Sequence, residues 1–195
     1  MRKRFSLLNF IVVTFIFFFF FFFFILFPLL NHKGKVDANS RQSVTYTKEE
    51  FIQKIVPDAQ DLGKSYGIRP SFIIAQAALD SDFGEKILAN KYHNLFGLLA
   101  EPGTPSITLN DSSTGKKQEK QFTHYKSWKY SMYDYLAHIK SGATGKKDSY
   151  TIMVSVKNPK TLVQKLQDSG FDNDKKYAKK MTEIIDLYDL TRYDK

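Results

Sequence analysis

Apolar residues recur along most of this chain at helical spacing and alternate in only one place. Thr47 with Glu50 three residues on is a capping-box pattern, and Phe51, Ile55, Ala59 and Leu62 follow on one face until Gly63 and Gly67, with Pro57 a candidate kink. Pro70 stands where a helix begins. From Ser71 to Asp80 the run is apolar nearly all round, with Phe72, Ile73, Ile74, Ala75, Ala77, Ala78 and Leu79, which predicts a buried helix. Gly84 is the expected terminator, a short helical piece follows over 86–90, and Tyr92 through Gly97 reads as a turn. Ile107 and Leu109 alternate with polar neighbours before Asp111-Ser112-Ser113-Thr114-Gly115, and Gln121 to Tyr125 return, so a small two-stranded hairpin is expected.

Three further amphipathic helices complete the pattern. Ser127 is the expected N-cap of one carrying Trp128, Met132, Tyr135, Leu136 and Ile139. Asn158-Pro159 opens another with Leu162, Val163 and Leu166, ending at Gly170, and the last carries Tyr177, Met181, Ile184 and Tyr188. Residues 47–195 thus read as one mainly α domain with one small β-hairpin, α+β in the strict sense.

The first thirty residues follow a different rule. Arg2, Lys3 and Arg4 precede an uncharged apolar stretch from Leu7 to Leu30 that contains eight consecutive phenylalanines, Phe17 to Phe24. Such a run is long enough for a transmembrane segment, and the basic cluster ahead of it is expected to stay in the cytoplasm, leaving everything after Asn31 outside. Val36-Asp37-Ala38 resembles a small-residue cleavage site, yet the run exceeds a usual signal peptide, so a retained anchor is favoured over a secreted form. Residues 31–46 are polar and aperiodic and read as a flexible linker.

Composition narrows the chemistry. Without cysteine there is no disulfide, thiolate nucleophile or cysteine-bound metal, and His32, His93, His124 and His138 show no metal-ligand spacing, so neither metal nor other cofactor is expected. The formal charge is +9, of which Arg2, Lys3 and Arg4 supply three; the exported part is expected to be drawn to anionic wall polymers or lipid headgroups. Lysines spread along the chain form no recognition module, so nucleic acid is not an expected partner, and a monomer is expected.

One residue contradicts its surroundings. Ile73, Ala77 and Asp80 fall at helical spacing, so Asp80 projects from an apolar side of a buried helix. Desolvation there raises a carboxyl pKa, as an acid that delivers its proton near neutral pH requires; contact with water or a lysine at the helix end is the alternative.

Several stretches in one order carry a resemblance: Ile68-Arg69-Pro70-Ser71, then Ala75-Gln76-Ala77-Ala78-Leu79-Asp80-Ser81-Asp82-Phe83-Gly84, Asn94-Leu95-Phe96-Gly97, Tyr125-Lys126-Ser127-Trp128, Gly170-Phe171 and Tyr177-Ala178-Lys179-Lys180. Over about residues 47 to 190 the chain resembles bacterial endo-β-N-acetylglucosaminidases of the autolysin and flagellar-hydrolase type. The resemblance implies a lysozyme-like fold that cleaves the β-1,4 bond after N-acetylglucosamine in peptidoglycan, with the catalytic acid at Asp80, where the family has glutamate. It also implies a second carboxylate in the hairpin, for which Asp111 is the candidate and Glu119 the next, and a tyrosine near the scissile sugar at Tyr177. Asn94, Phe96 and Gly97 match the turn lining the family's cleft, and Tyr92 and Tyr125 offer flat faces for sugar rings. Two readings follow: an active glucosaminidase, or a glycan-binding protein that kept the cleft after losing catalysis.

Overall fold

The computed structural model describes residues 7–26, 35–113, 115–143 and 148–195. Val36–Lys195 form one compact unit and the described residues before it another. In the N-terminal unit, helix α1 (Leu7–Phe21) has 15 residues and passes into a five-residue π-helical turn, Phe22–Leu26. At 1.5 Å per residue α1 spans about 22 Å, short of a hydrocarbon core of about 30 Å. Among the described residues no helix is long and apolar enough to cross a membrane. Over the described residues 7–26 the single spanning helix expected within residues 1–30 is interrupted by the π-helical turn; residues 1–6, with the basic cluster, and 27–34 lie outside the described residues.

The larger unit contains α2 (Lys48–Tyr66), α3 (Pro70–Ser81), α4 (Ile87–Tyr92), β1 (Ser106–Asp111), β2 (Gln118–Thr123), α5 (Trp128–Ser141), α6 (Ser149–Ser155), α7 (Pro159–Asp168), α8 (Tyr177–Leu187) and a closing 3-10 turn, Leu190–Tyr193. The mainly helical plan with one antiparallel pair is as expected, and β1 and β2 pair from Ser106 with Thr123 to Asp111 with Gln118. The hydrophobic pattern had not indicated α6 or the 3-10 turn, both too short for a period to show.

Local signals account for the first helix of this unit. The Thr47 side chain accepts the Glu50 N–H at 3.2 Å while the Glu50 carboxylate accepts the Thr47 N–H at 2.7 Å, closing the capping box. Phe51, Ile52, Ile55, Ala59 and Leu62 are buried on one side, and Gly67 ends the helix in the left-handed region at φ 70°. Pro57 lies inside α2, which continues through it.

α3 sits at the centre. Ser71 through Ala78 are all buried, and α2, α8 and the 3-10 turn pack around it. Its N-terminus has no cap from Arg69; instead the Asp194 carboxylate, 123 residues away, accepts the Ser71 N–H at 2.8 Å and the Ser71 hydroxyl at 2.7 Å. An anion there also complements the helix dipole. At the other end Asp82, Phe83 and Gly84 all have positive φ, and the Gly84 N–H donates to the Ser81 hydroxyl at 2.8 Å.

Residues 36–46, expected as part of a flexible linker, are laid on the domain. Ala38 donates its N–H to the Asn110 carbonyl at 2.7 Å and Asn110 donates to the Val36 carbonyl at 3.1 Å, while Gln42 and Ser40 bond Glu85 and Ile87. Ala38 is 1% exposed in a small cluster with Ile87, Leu88, Leu109 and Phe122. The segment thus bridges the hairpin to the start of α4. A polar, aperiodic sequence gives no hint of this because the bonds are made by its backbone.

Gly84 tests the packing at the end of α3. A Cβ there would overlap the Tyr46 hydroxyl and approach the Phe51 ring at 3.0 Å, at a φ of 80° that side chains rarely adopt. Gly84→Ala is expected to lose about 1–3 kcal/mol of stability, read from the urea midpoint of the full-length chain in detergent.

Candidate active site

The last turn of α3 carries Asp80 to the rim of a cavity of about 160 Å³, whose lining includes Asn39, Lys86, Asn94, Phe96 and Gly97. Burial pushes the Asp80 carboxyl up to about 7, against the opposing effects of the Gln76 hydrogen bond and the Lys86 charge and with the help of Asp172. The expected proton-bearing carboxyl on an apolar helix is thus what the fold produces, and it is reached from the cavity.

A hydrogen-bonded chain fixes its orientation. Gln76, one turn earlier on α3, donates its amide N–H to Asp80 at 2.9 Å. Buried Tyr177 on α8 donates its hydroxyl to the Gln76 carbonyl oxygen at 2.7 Å, which commits that end of the amide and turns the NH₂ toward Asp80. Tyr177, expected beside the scissile sugar, is 1% exposed and reaches Asp80 through Gln76. Burial, then the charges of Asp80 and Asp172, hold its hydroxyl well above the ordinary range, so it serves as a donor.

Asn94, Phe96 and Gly97 line the cavity, with tasks their geometry defines. The Asn94 amide donates to the Leu98 and Thr123 carbonyls, both at 2.9 Å, and accepts the Leu98 N–H at 3.0 Å, so it holds the turn to the end of β2. The Phe96 ring lies flat on Tyr135, 4.0 Å between centroids and 4° between planes. Gly97 needs its left-handed φ of 65°, not space, since a Cβ would meet nothing within 4 Å.

Tyr92, Tyr125 and Asp111 do not line the cavity. Half-buried Tyr92 packs against the Ala38 cluster and meets His124 edge-on at 5.4 Å. Tyr125 is buried and donates its hydroxyl to Asp134 at 2.5 Å; burial and that carboxylate raise its pKa. Asp111 pairs with Lys120 across the hairpin at 2.6 Å and accepts the Ser113 N–H at 2.9 Å and the Asn39 amide at 3.4 Å. Burial alone would raise its pKa, but the Lys120 ammonium and Ser113 hold it down to about 2. It stays ionised, and the stability it adds above the ordinary carboxylate range is lost as pH falls toward that value. Glu119 faces Asn110 in the same ladder.

Gln76, Lys86, Tyr135, Asp172 and Asn39 were not singled out from the sequence. Gln76 alone had a local signal, since it precedes Asp80 by four residues on one helix face. The others reach the site from separate elements. Among the described residues no cluster of metal-ligating side chains occurs.

A buried, mostly apolar helix that ends in an acid held near neutral pKa, a turn-lined cavity beside it and a two-stranded hairpin define a lysozyme-like glycoside hydrolase domain. The chain belongs to the glucosaminidase family, whose model, described as mannosyl-glycoprotein endo-beta-N-acetylglucosaminidase, matches residues 56–190. It is 33% identical over 151 residues to the exo-glucosaminidase LytG of Bacillus subtilis, covering 75% of this chain and 54% of that protein. With the peptidoglycan hydrolase FlgJ of Pseudomonas aeruginosa it shares 29% over 154 residues, 73% of this chain and 37% of the other. The catalytic domain of the autolysin Auto from Listeria monocytogenes superposes with a TM-score of 0.69 at 31% identity, over 78% of this chain and 91% of that one. The chain thus spans about half the length of LytG and less of FlgJ.

The raised Asp80 pKa has a measurable cost. A carboxyl that binds its proton more tightly folded than unfolded stabilises the fold least where it must ionise, so stability falls as pH rises from about 4 through about 7. Asp80→Asn is expected to remove that fall and to raise the melting temperature at pH 8 by about 2–4 °C, for a gain on the order of 1 kcal/mol, with little change at pH 4.

Proposed function

We propose that this protein is a peptidoglycan hydrolase that cleaves the β-1,4 bond after N-acetylglucosamine in cell-wall glycan strands. One observation carries the reading: a cavity-facing carboxyl, Asp80, still protonated near neutral pH. As the glycosidic C–O bond breaks, its electron pair passes to the leaving oxygen, which takes the Asp80 proton; water then adds to the oxocarbenium-like carbon, and the proton it sheds restores the Asp80 carboxyl. Gln76 and Tyr177 hold the acid in place through this step. Peptidoglycan as substrate is supported by the printed names of LytG and FlgJ. Some relatives bear another name: a protein of Lactococcus lactis, 28% identical over 78% of this chain, is a probable N-acetylmuramidase, so the bond cut is the point to test.

A second reading, a glycan-binding protein on the same fold, is favoured by a different observation. Among the described residues that line the cavity, Asp80 is the only carboxylate. Incubation of the full-length chain with purified peptidoglycan, followed by mass spectrometry of the released fragments, separates the two. Reducing-end N-acetylglucosamine is expected, with a loss on the order of a hundredfold or more in Asp80→Ala. Reducing-end N-acetylmuramic acid would reassign the bond, and pelleting on the wall without release would establish the binding protein.

The site of action is proposed to be the outer face of the cytoplasmic membrane, with the N-terminal segment retained as a tether. The apolar run after Arg2, Lys3 and Arg4 supports export, and the positive charge suits anionic wall polymers or lipid headgroups. Retention is supported by Ala38, which lies buried under the hairpin in the folded domain and so ties residues just after the segment to the catalytic unit. Protease added to intact spheroplasts is expected to digest the domain, and alkaline extraction to leave the chain in the membrane fraction; a protected or extractable chain would refute the tether.

A further inference from the structure

An ammonium shares the cavity with the acid. Among the described residues that line it, only Asp80 and Lys86 have ionisable side chains, and they stand at the two ends of one tight loop. The Lys86 N–H donates to the carbonyl of Ser81, the residue after Asp80, at 3.0 Å. Within the loop the Ser81 hydroxyl donates to the Ala77 carbonyl at 2.6 Å and accepts the Gly84 N–H at 2.8 Å. On its outer flank the Gln42 N–H donates to the Glu85 carbonyl at 2.8 Å and the Ile87 N–H to the Ser40 carbonyl at 2.9 Å. The backbone is thus fixed on both sides of Lys86, and its side chain is rooted as firmly as that of the acid.

No carboxylate of the fold neutralises this cation. Asp82, in the same loop, is taken by Arg41 and Asp111 of the hairpin by Lys120, while Lys86 forms no ion pair among the described residues. Below about pH 7 Asp80 holds its proton, and Lys86 is then the one charge among the described residues of the lining. A half-buried, unpaired ammonium in a cavity of about 160 Å³ favours a ligand that brings a negative group to it. The substrate of the proposed reaction has such groups on the side that leaves. When the bond after N-acetylglucosamine is cut, Asp80 protonates an oxygen of N-acetylmuramic acid, and the lactyl ether of that sugar stands on the adjacent ring carbon. Its carboxylate is free in strands stripped of peptide. Where a stem peptide is attached, the lactyl group is an amide and the carboxylates lie farther along the peptide.

We infer that Lys86 is a specificity residue of this site, whose ammonium binds a carboxylate carried by the leaving N-acetylmuramic acid, on its lactyl group or on its stem peptide. This rests on the reading of Asp80 as the acid that protonates that sugar's oxygen.

The test compares stripped and peptide-bearing strands, each before and after coupling of their carboxyls to methylamine, which leaves neutral amides. Two readouts are taken on the full-length chain in detergent: kcat/KM for fragment release, and Kd for soluble strands with Asp80→Asn, in which the acid is removed. Both are read at about pH 5.5, above the ordinary carboxylate range and below the Asp80 midpoint, so that loss of the Lys86 charge leaves Asp80 protonated as before. Amidation is expected to weaken both by roughly tenfold, the worth of one charge-assisted hydrogen bond. Lys86→Met is expected to lose that factor on native strands and to become indifferent to amidation, and Lys86→Arg to keep it. Lys91→Met, the same charge change at an exposed position of α4, is expected to leave it unaltered. An effect confined to stripped strands assigns the lactyl carboxylate, and one confined to peptide-bearing strands assigns the stem peptide. Equal values for native and amidated strands without any substitution at Lys86 overturn the inference, whatever Lys86→Met does to folding; so does an amidation effect of the same size with and without Lys86. Discrimination in binding by a chain that releases no fragments sustains the carboxylate contact and refutes only the hydrolase reading.

Discussion

A helix without a polar face must be surrounded, and the rest of this domain depends on that requirement. α3 presents apolar side chains in every direction, so α2, α8 and the closing 3-10 turn pack around it. Its backbone ends then need partners from elsewhere in the chain, which Asp194 provides at one end and the Ser81 hydroxyl at the other. Into this setting the sequence puts one carboxyl group, at the last turn. The same burial that stabilises the core disfavours the charged form of Asp80, so the acid and the core have one physical origin.

An acid must also be aimed. The Gln76 amide has two ends, and Tyr177 occupies its acceptor, so only the donor end can face Asp80. That arrangement couples two helices far apart in sequence through a single side chain. Asn94 plays the same part on the other wall: both ends of its amide bond backbone, and the turn bearing Phe96 and Gly97 is held to β2. Asn94, which the family resemblance marks as a cleft residue, is a strut of the cavity wall in the folded chain, and Gln76 is the strut of Asp80.

The hairpin contributes rigidity of a different kind. Its carboxylate, Asp111, is neutralised by Lys120 and holds Asn39, which itself lines the cavity, so the segment before the first domain helix becomes part of the active-site wall. The backbone bonds of Val36, Ala38, Ser40 and Gln42 stitch the hairpin to the start of α4.

Much of this was legible in the sequence because it depends on local periodicity. The capping box at Thr47, the all-apolar run from Ser71, the alternation around Leu109 and the misplaced Asp80 each follow from residues a few positions apart, and the ordered motifs placed the chain in its family. Gln76 could have been read from its four-residue spacing to Asp80. Tertiary structure alone decided the rest. Asn39 and Lys86 join Asp80 at the cavity from outside its helix, Asp111 is claimed by Lys120 across the hairpin, Tyr125 by Asp134, and residues 36–42 dock through backbone bonds that no side-chain pattern encodes. Period and propensity report what one segment needs; which distant charge or amide meets that need is set by how the segments pack, because electrostatic and hydrogen-bond partners act through space and carry no signature along the chain.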